Sequence, residues 1–225
     1  MSLENRYLAV KQRISSCLID HKISRQIDLL AVSKKHPIDK IQYLYQLGHR
    51  KFGESYVNEA IEKIQSINCD DIEWHFIGPL QSNKCKYIAQ YFSWVQSVDS
   101  LKLLTRLNNL REPHNDKLNV LLQLKVGGED SKRGLSADSL IELASQYEKF
   151  NNLTIRGIMC IPAPTNDTNK QILQFKTCYQ VYSQLQKIIA VDTLSMGMSA
   201  DLEAAIISGT TMVRIGTDIF GTRVN

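Results

Sequence analysis

The sequence predicts an α/β fold, a single (β/α)8 barrel of the TIM type with an extra N-terminal helix, and three observations carry that reading. Short apolar runs alternate with helix-length segments along the chain, the pattern of parallel strands joined by crossover helices. There are eight such runs, the number that closes a barrel. The chain has 225 residues, 43% hydrophobic and 22% charged, enough for one sizeable core but below the roughly 250 residues of an average barrel. Trimmed loops and one domain over residues 1–225 are therefore expected. An open doubly wound sheet is the alternative, disfavoured because no G-x-G-x-x-G follows the first run.

An amphipathic segment comes first, with Leu3, Tyr7, Val10, Ile14 and Leu18 spaced by three or four residues, so residues 1–27 read as a helical segment packed on the barrel. The first strand is Asp28–Ser33, followed by a helix from Ile38 to Leu47 that Gly48 closes. Further strands are expected at Lys51–Glu54, Ile72–Ile77, Trp94–Val98, Leu118–Val126, Thr154–Ile161, Asp192–Met196 and Thr211–Ile215. Among the intervening helices, Ser136–Phe150 places Leu140, Leu143, Ala144 and Tyr147 on one side, and a long one runs from about Asn169 to Ala190.

Composition excludes several classes. The 27 Lys and Arg minus 23 Asp and Glu leave +4, with the signs interspersed, which is a solubility margin and no nucleic-acid footprint. Cys17, Cys69, Cys85, Cys160 and Cys178 are scattered without C-x-x-C spacing and read as reduced thiols. No apolar run reaches the roughly 18 residues of a membrane span, and the N-terminus lacks a signal-peptide core, so a cytoplasmic protein is expected. His21, His49 and His114 share no ligand spacing and read as surface residues, and no metal site is expected.

Functional residues of a parallel barrel stand at the C-terminal ends of its strands, and phosphate commonly binds at the loops after strands seven and eight. After strand seven, Ser195-Met-Gly-Met-Ser199 runs into a helix expected at Ala200–Ser208, where Gly197 permits close backbone approach and Ser199 can cap. After strand eight comes Arg214-Ile-Gly-Thr217. The two loops read either as a phosphate cup or as ordinary βα turns with a good cap, and Asp201 and Glu203 put negative charge at the same place. The first strand ends in Ser33-Lys-Lys-His36. A lysine facing the barrel mouth there can act as a nucleophile toward an aldehyde, and strand alternation admits only one of the two; taken alone, the pair reads more readily as solvated surface lysines, since lysine is seldom buried. An anion cup, a lysine on another strand and an arginine at the mouth are together what a pyridoxal phosphate (PLP) site needs. Gly127–Gly134, with Lys132, reads as a lid, a second anion site or a solvated loop.

Seven motifs in order carry a family resemblance. They are Ala31-Val-Ser-Lys-Lys-His-Pro37, Phe52-Gly-Glu-Ser-Tyr-Val-Asn-Glu59, Trp74-His-Phe-Ile-Gly-Pro-Leu-Gln-Ser-Asn-Lys84, Ser131-Lys-Arg-Gly134, Gly157-Ile-Met-Cys-Ile-Pro162, Ser195-Met-Gly-Met-Ser-Ala-Asp-Leu-Glu-Ala-Ala205 and Met212-Val-Arg-Ile-Gly-Thr217 with Ile219-Phe-Gly221. Between about Leu29 and Arg223 the chain resembles the pyridoxal phosphate homeostasis proteins (YggS/PROSC type). The resemblance implies a barrel like the N-terminal domain of alanine racemase, with PLP held as a Schiff base on Lys34. It also implies phosphate contacts at Ser199, Gly216 and Thr217, Arg214 facing the ring nitrogen, and Met198 beside the cofactor. His75 and Asn83 match motif positions without a derivable contact. The chain departs from the family at Lys35 and His36, at Ser55 where an Asn is usual, and at Asp218 where a small residue is usual.

Three functions remain, of which the first, a carrier and not an enzyme, is preferred because a lone barrel lacks the second domain from which alanine racemase supplies a catalytic tyrosine, and the aldolase is disfavoured because the Lys34 motif holds no nearby carboxylate. One is a carrier that controls PLP supply in the cell, expected to be a monomer with apo-enzymes that use PLP as candidate recipients and with no nucleic-acid or membrane partner. The second is a PLP-dependent amino acid racemase. The third is a Schiff-base aldolase in which Lys34 attacks a sugar carbonyl and His36 serves as base.

Overall fold

The computed structural model describes residues 1–67, 69–112, 116–127 and 133–222. Among them, parallel strands close a barrel in sequence order: β1 Asp28–Val32, β2 Lys51–Glu54, β3 Glu73–Phe76, β4 Trp94–Val98, β5 Leu118–Leu124, β6 Leu153–Cys160, β7 Thr193–Ser195 and β8 Met212–Ile215. β8 returns to β1 with Leu30 opposite Arg214 and Ala31 opposite Ile215, which rules out the open sheet. The helices are α1 Leu3–Asp20, α2 Ile38–Gln46, α3 Val57–Ser66, α4 Cys85–Tyr91, α5 Leu101–Leu110, α6 Ala137–Ala144, α7 Thr168–Leu185, α8 Leu202–Ile207 and α9 Thr217–Phe220.

Strand alternation sorts the side chains into two compartments. Ala31, Phe52, Trp74, Phe76, Val120, Leu194 and Val213 point outward into one continuous core with the helices, whereas Trp94, Leu121 and Met159 fill the lumen. At Gly157 an added Cβ would lie 1.8 Å from the Thr193 carbonyl oxygen, so only glycine lets β6 and β7 pair here. The register skips Arg156, since Val120 faces Ile155 and Leu121 faces Gly157. The arginine so released pairs with Asp192 and covers the Trp94 ring 4.8 Å away. With Lys51 between Asp28 and Glu73, and Trp94 Nε1 donating to Glu73, these groups plug the N-terminal end of the barrel.

Several helices start at hydroxyl or carboxylate caps: Ser2, Ser100 and Ser136 accept from amides of the first turn, and Asp167 does the same for α7. α1 buries Tyr7, Val10, Ile14 and Cys17 and lies against α8 and α9. Three expected helices are shorter than their patterns. The segment from 136 ends at Ala144 and continues as a 3-10 turn, Tyr147–Lys149, the segment from 169 ends at Leu185, and the expected 200–208 helix is Leu202–Ile207. Amphipathic spacing runs on through such tight turns, so it overshoots the α-helical ends.

His49 is not a surface residue. It is buried, its ring takes a hydrogen bond with Tyr7 and with the Lys51 carbonyl, and burial pushes its pKa down to about 4. His114 lies outside the described residues, as does Lys132 with the middle of the Gly127–Gly134 segment. All five cysteines are free thiols. Among the described residues there is no cluster fit to hold a metal ion and no helix long and apolar enough to cross a membrane.

Candidate functional site

At the C-terminal end of β1 the strand stops at Val32, two residues before the lysine pair. What separates Lys34 from Lys35 is therefore a turn as well as alternation, because Lys35 adopts φ +60° and is exposed, with its amine over the Tyr56 ring. Lys34 is half-buried and its Nζ donates to Ser55 Oγ at 3.1 Å. Ser55, one of the departures from the family pattern, is thus a direct partner of the lysine. Both line a cleft of about 580 Å³ with Asn58, Gln81 and Lys84.

A buried ionic cluster behind the strand holds this turn. Ser33 Oγ donates to Glu54 Oε1 at 2.7 Å, and Lys63 Nζ donates to the Ser33 carbonyl, Glu54 Oε1 and Glu59 Oε1 at 2.9, 2.8 and 2.6 Å. The Lys35 amide donates to the same Glu59 oxygen at 2.6 Å, so both peptide neighbours of Lys34 are tied to one network. Burial pushes the Glu54 carboxyl up, against the pull of Lys63. His36 is buried and its ring stacks on Phe220 at 5.1 Å, a packing position that gives no support to a base beside Lys34.

The β7 and β8 ends lie beside β1. An added Cβ on Gly216 would come 3.3 Å from the Val32 carbonyl oxygen, so the β8 turn rests on the strand that leads to Lys34. Gly197 has φ +96°, and a Cβ there would meet Ala205 at 2.5 Å, which explains why the β7 loop needs glycine to turn against α8. Met198 is exposed, Ser199 half-buried and Thr217 exposed at the first turn of α9. Ser199 does not cap α8. The residue at the cap is Asp201, whose carboxylate accepts from the Met198 amide at 2.5 Å, because the chain makes one further turn before the helix begins. Burial pushes Asp201 up, while that amide and the charge of Arg214 pull it down.

Arg214 stands in the lumen, 4% exposed. Its guanidinium donates to the Ser195 carbonyl at 2.8 Å, Ser195 Oγ at 2.7 Å and the Cys160 carbonyl at 2.9 Å. Burial pulls its pKa below the ordinary value, yet an arginine stays a cation in a protein. Ser195 donates in turn to Gln96 Oε1 at 2.7 Å, and the Gln96 amide nitrogen meets His75 Nδ1 at 3.0 Å. His75 is fully buried, stacks on Trp94 and is held neutral by burial. Asn83 is exposed in the 3-10 turn Ser82–Lys84 and joins no part of this set.

The structure therefore brings Lys34, Gly216, Thr217, Met198 and Ser199 to adjacent sectors of one rim, with Arg214 below. Sequence reasoning missed Gln96 and Ser195. Gln96 carries a readable signal, since it is polar and in phase with Trp94 on the strand. It also gave no role to Glu54 and Glu59, although both stand in a quoted motif.

The alanine racemase N-terminal domain model matches residues 17–224. The pyridoxal phosphate homeostasis protein of Pasteurella multocida is 43% identical over 229 residues, covering 99% of this chain and 98% of that protein. PipY of Synechococcus elongatus PCC7942, solved with PLP bound, is 32% identical with a TM-score of 0.81, over 92% of this chain and all of that one. An alanine racemase of Clostridium difficile 630 shares the fold with a TM-score of 0.70 at 17% identity, over 94% of this chain and 57% of its own. A barrel with a lysine and two glycine turns on one rim above a buried arginine, matched along nearly its whole length, places the chain in the alanine racemase N-terminal domain family and, within it, among the pyridoxal phosphate homeostasis proteins.

Proposed function

We propose that the chain binds PLP at this rim as one unit over residues 1–225 and controls its supply in the cell. The observation that carries the reading is the lysine just after β1, its amine on Ser55, with the β8 turn at Gly216 resting on the end of the same strand and the Arg214 guanidinium buried in the lumen. The residues fit the cofactor: an amine for its aldehyde, two glycine turns that leave backbone without side chains at the β7 and β8 ends, and a fixed cation in the lumen. When bound, PLP supplies an aldehyde for a Schiff base and a ring that can withdraw electrons. Lys34 provides the amine, and Ser55 orients it. Ser199, Gly216 and Thr217 would receive the phosphate, and Met198 would lie beside the cofactor. Arg214, fixed by Ser195 and Cys160, would serve the ring nitrogen as a cation that disfavours its protonation.

A carrier is favoured over a racemase on relative length. The Pasteurella relative is matched over 98% of its length and the racemase over 57% of its own, so that homeostasis protein extends little beyond the matched barrel. The racemase likeness at 17% identity concerns the fold alone. The protein is proposed to be a monomer in the cytoplasm, with apo-enzymes that use PLP as its recipients.

Incubation of the loaded protein with a panel of L-amino acids, followed by chiral chromatography, is expected to show no racemisation. Loss of bound cofactor to an added apo-enzyme is expected in parallel. Turnover at an ordinary enzyme rate of about 1–1000 per second, absent from a Lys34→Ala control, would establish the racemase instead.

Ser199→Ala and Thr217→Val each remove a hydroxyl donor to a charged phosphate, worth roughly 1.5–3 kcal/mol. Cofactor titration should show weaker binding in both with an unchanged melting temperature, because neither side chain is buried.

A further inference from the structure

Three acids crowd the proposed phosphate loops: Asp201 and Glu203 at the start of α8, and Asp218 in the first turn of α9. Left unbalanced, they would repel an anion there. The structure answers Glu203 and Asp218 with a single side chain from α1. Arg13 stands one turn from the buried anchors Val10 and Cys17, and its guanidinium reaches both loops from outside. Its Nε and one terminal nitrogen grip the two oxygens of Glu203 at 2.9 and 3.0 Å. The other terminal nitrogen donates to Asp218 Oδ2 at 2.5 Å, and the first also donates to the Ser199 carbonyl at 3.2 Å.

The planar fork thus ties the residue next to Thr217 to the backbone of Ser199, across 205 and 186 positions of sequence. Glu203 responds to it: burial pushes that carboxyl up, but the Arg13 hydrogen bond and charge hold it below the ordinary range. The Glu203 contact in turn raises Arg13. Isolated surface pairs contribute little. Here four bonds converge on one guanidinium that joins three elements, and Arg6 adds a bond from α1 to the Ile219 carbonyl at 2.8 Å.

We propose that Arg13 is a positioning residue for the phosphate site: without touching the ligand, it offsets one of the two negative charges of Glu203 and Asp218 and fixes the spacing of the two loops. This rests on the reading that Ser199, Gly216 and Thr217 receive the phosphate.

The test is equilibrium titration of the full-length apo-protein with PLP, and separately with inorganic phosphate as competitor, beside thermal melting. Arg13→Gln is expected to weaken PLP about tenfold and to weaken phosphate competition in step. At saturating PLP, borohydride should still mark the same lysine. Arg13→Lys, which keeps the charge and loses the fork, should fall between. Adding Glu203→Gln and Asp218→Asn to Arg13→Gln should restore most of the affinity, because the uncancelled charge has gone. Unchanged affinity in Arg13→Gln would overturn the proposal. A loss that neutralising the acids does not rescue would also overturn it, leaving only a structural tie. Ser199→Ala and Thr217→Val run alongside: if neither changes affinity, the phosphate assignment itself fails, whatever Arg13 does.

Discussion

Lys34→Ala is expected to abolish covalent attachment of PLP, leaving only the weaker, non-covalent hold of the phosphate loops and Arg214. In the unaltered protein, borohydride reduction followed by peptide mapping should place the pyridoxyl group on Lys34. The expectation has a geometric cause. Lys34 is half-buried with its amine on Ser55 Oγ, whereas the left-handed turn at Lys35 swings that side chain out over Tyr56. A label found chiefly on Lys35, on Lys84 in the same cleft or on Lys132 would overturn the assignment. Ser55→Ala should slow labelling without moving it to another residue.

Lys63→Met should be the most destabilising of the substitutions considered. Glu54 is fully buried, one of its oxygens has no hydrogen-bond partner, and Lys63 is the cation that balances it at 2.8 Å. Removing one partner of a buried pair typically costs about 3–5 kcal/mol, here measurable by urea denaturation. The pH dependence follows from the carboxyl. Burial already holds Glu54 above its ordinary pKa, and losing Lys63 removes the main opposing pull. The folded variant then binds a proton at pH values where the unfolded chain has released it, so its stability falls as pH rises from the ordinary carboxylate value through the raised one. The deficit relative to the unaltered protein should grow as pH rises above the ordinary carboxylate value and shrink as pH falls toward it. A deficit independent of pH would show that lost packing, and not a stranded carboxylate, is responsible. Because the same cluster ties Ser33 and Lys35, the variant should also load PLP less completely.

The strands were legible because their signal is local. Runs such as Leu118–Val126 and Lys51–Glu54 announce themselves within a few residues, and the observed bounds differ by no more than two positions. Lys34 and the glycine turns at Gly197 and Gly216 were legible for a related reason, since motif and strand end coincide there. Helix ends were less so: at Ser199 the sequence offered a good cap, but the backbone turned once more and gave the position to Asp201.

By itself, then, the sequence determined the barrel and the order of its strands, both of which follow from periodicity and from residues close in the chain. Only the tertiary structure decided that Arg13 answers the acids at Glu203 and Asp218, that Ser195 and Gln96 hold Arg214, that Glu54 and Lys63 anchor the turn at Lys34, and that His49 is core. Except for Glu54 and Lys63, nine positions apart, these partners are brought together by distant parts of the chain. Their pairing depends on closing β8 onto β1 and laying α1 across α8 and α9. No local spacing encodes such contacts, because the side chains meet only after burial of the apolar faces has set the distance between them.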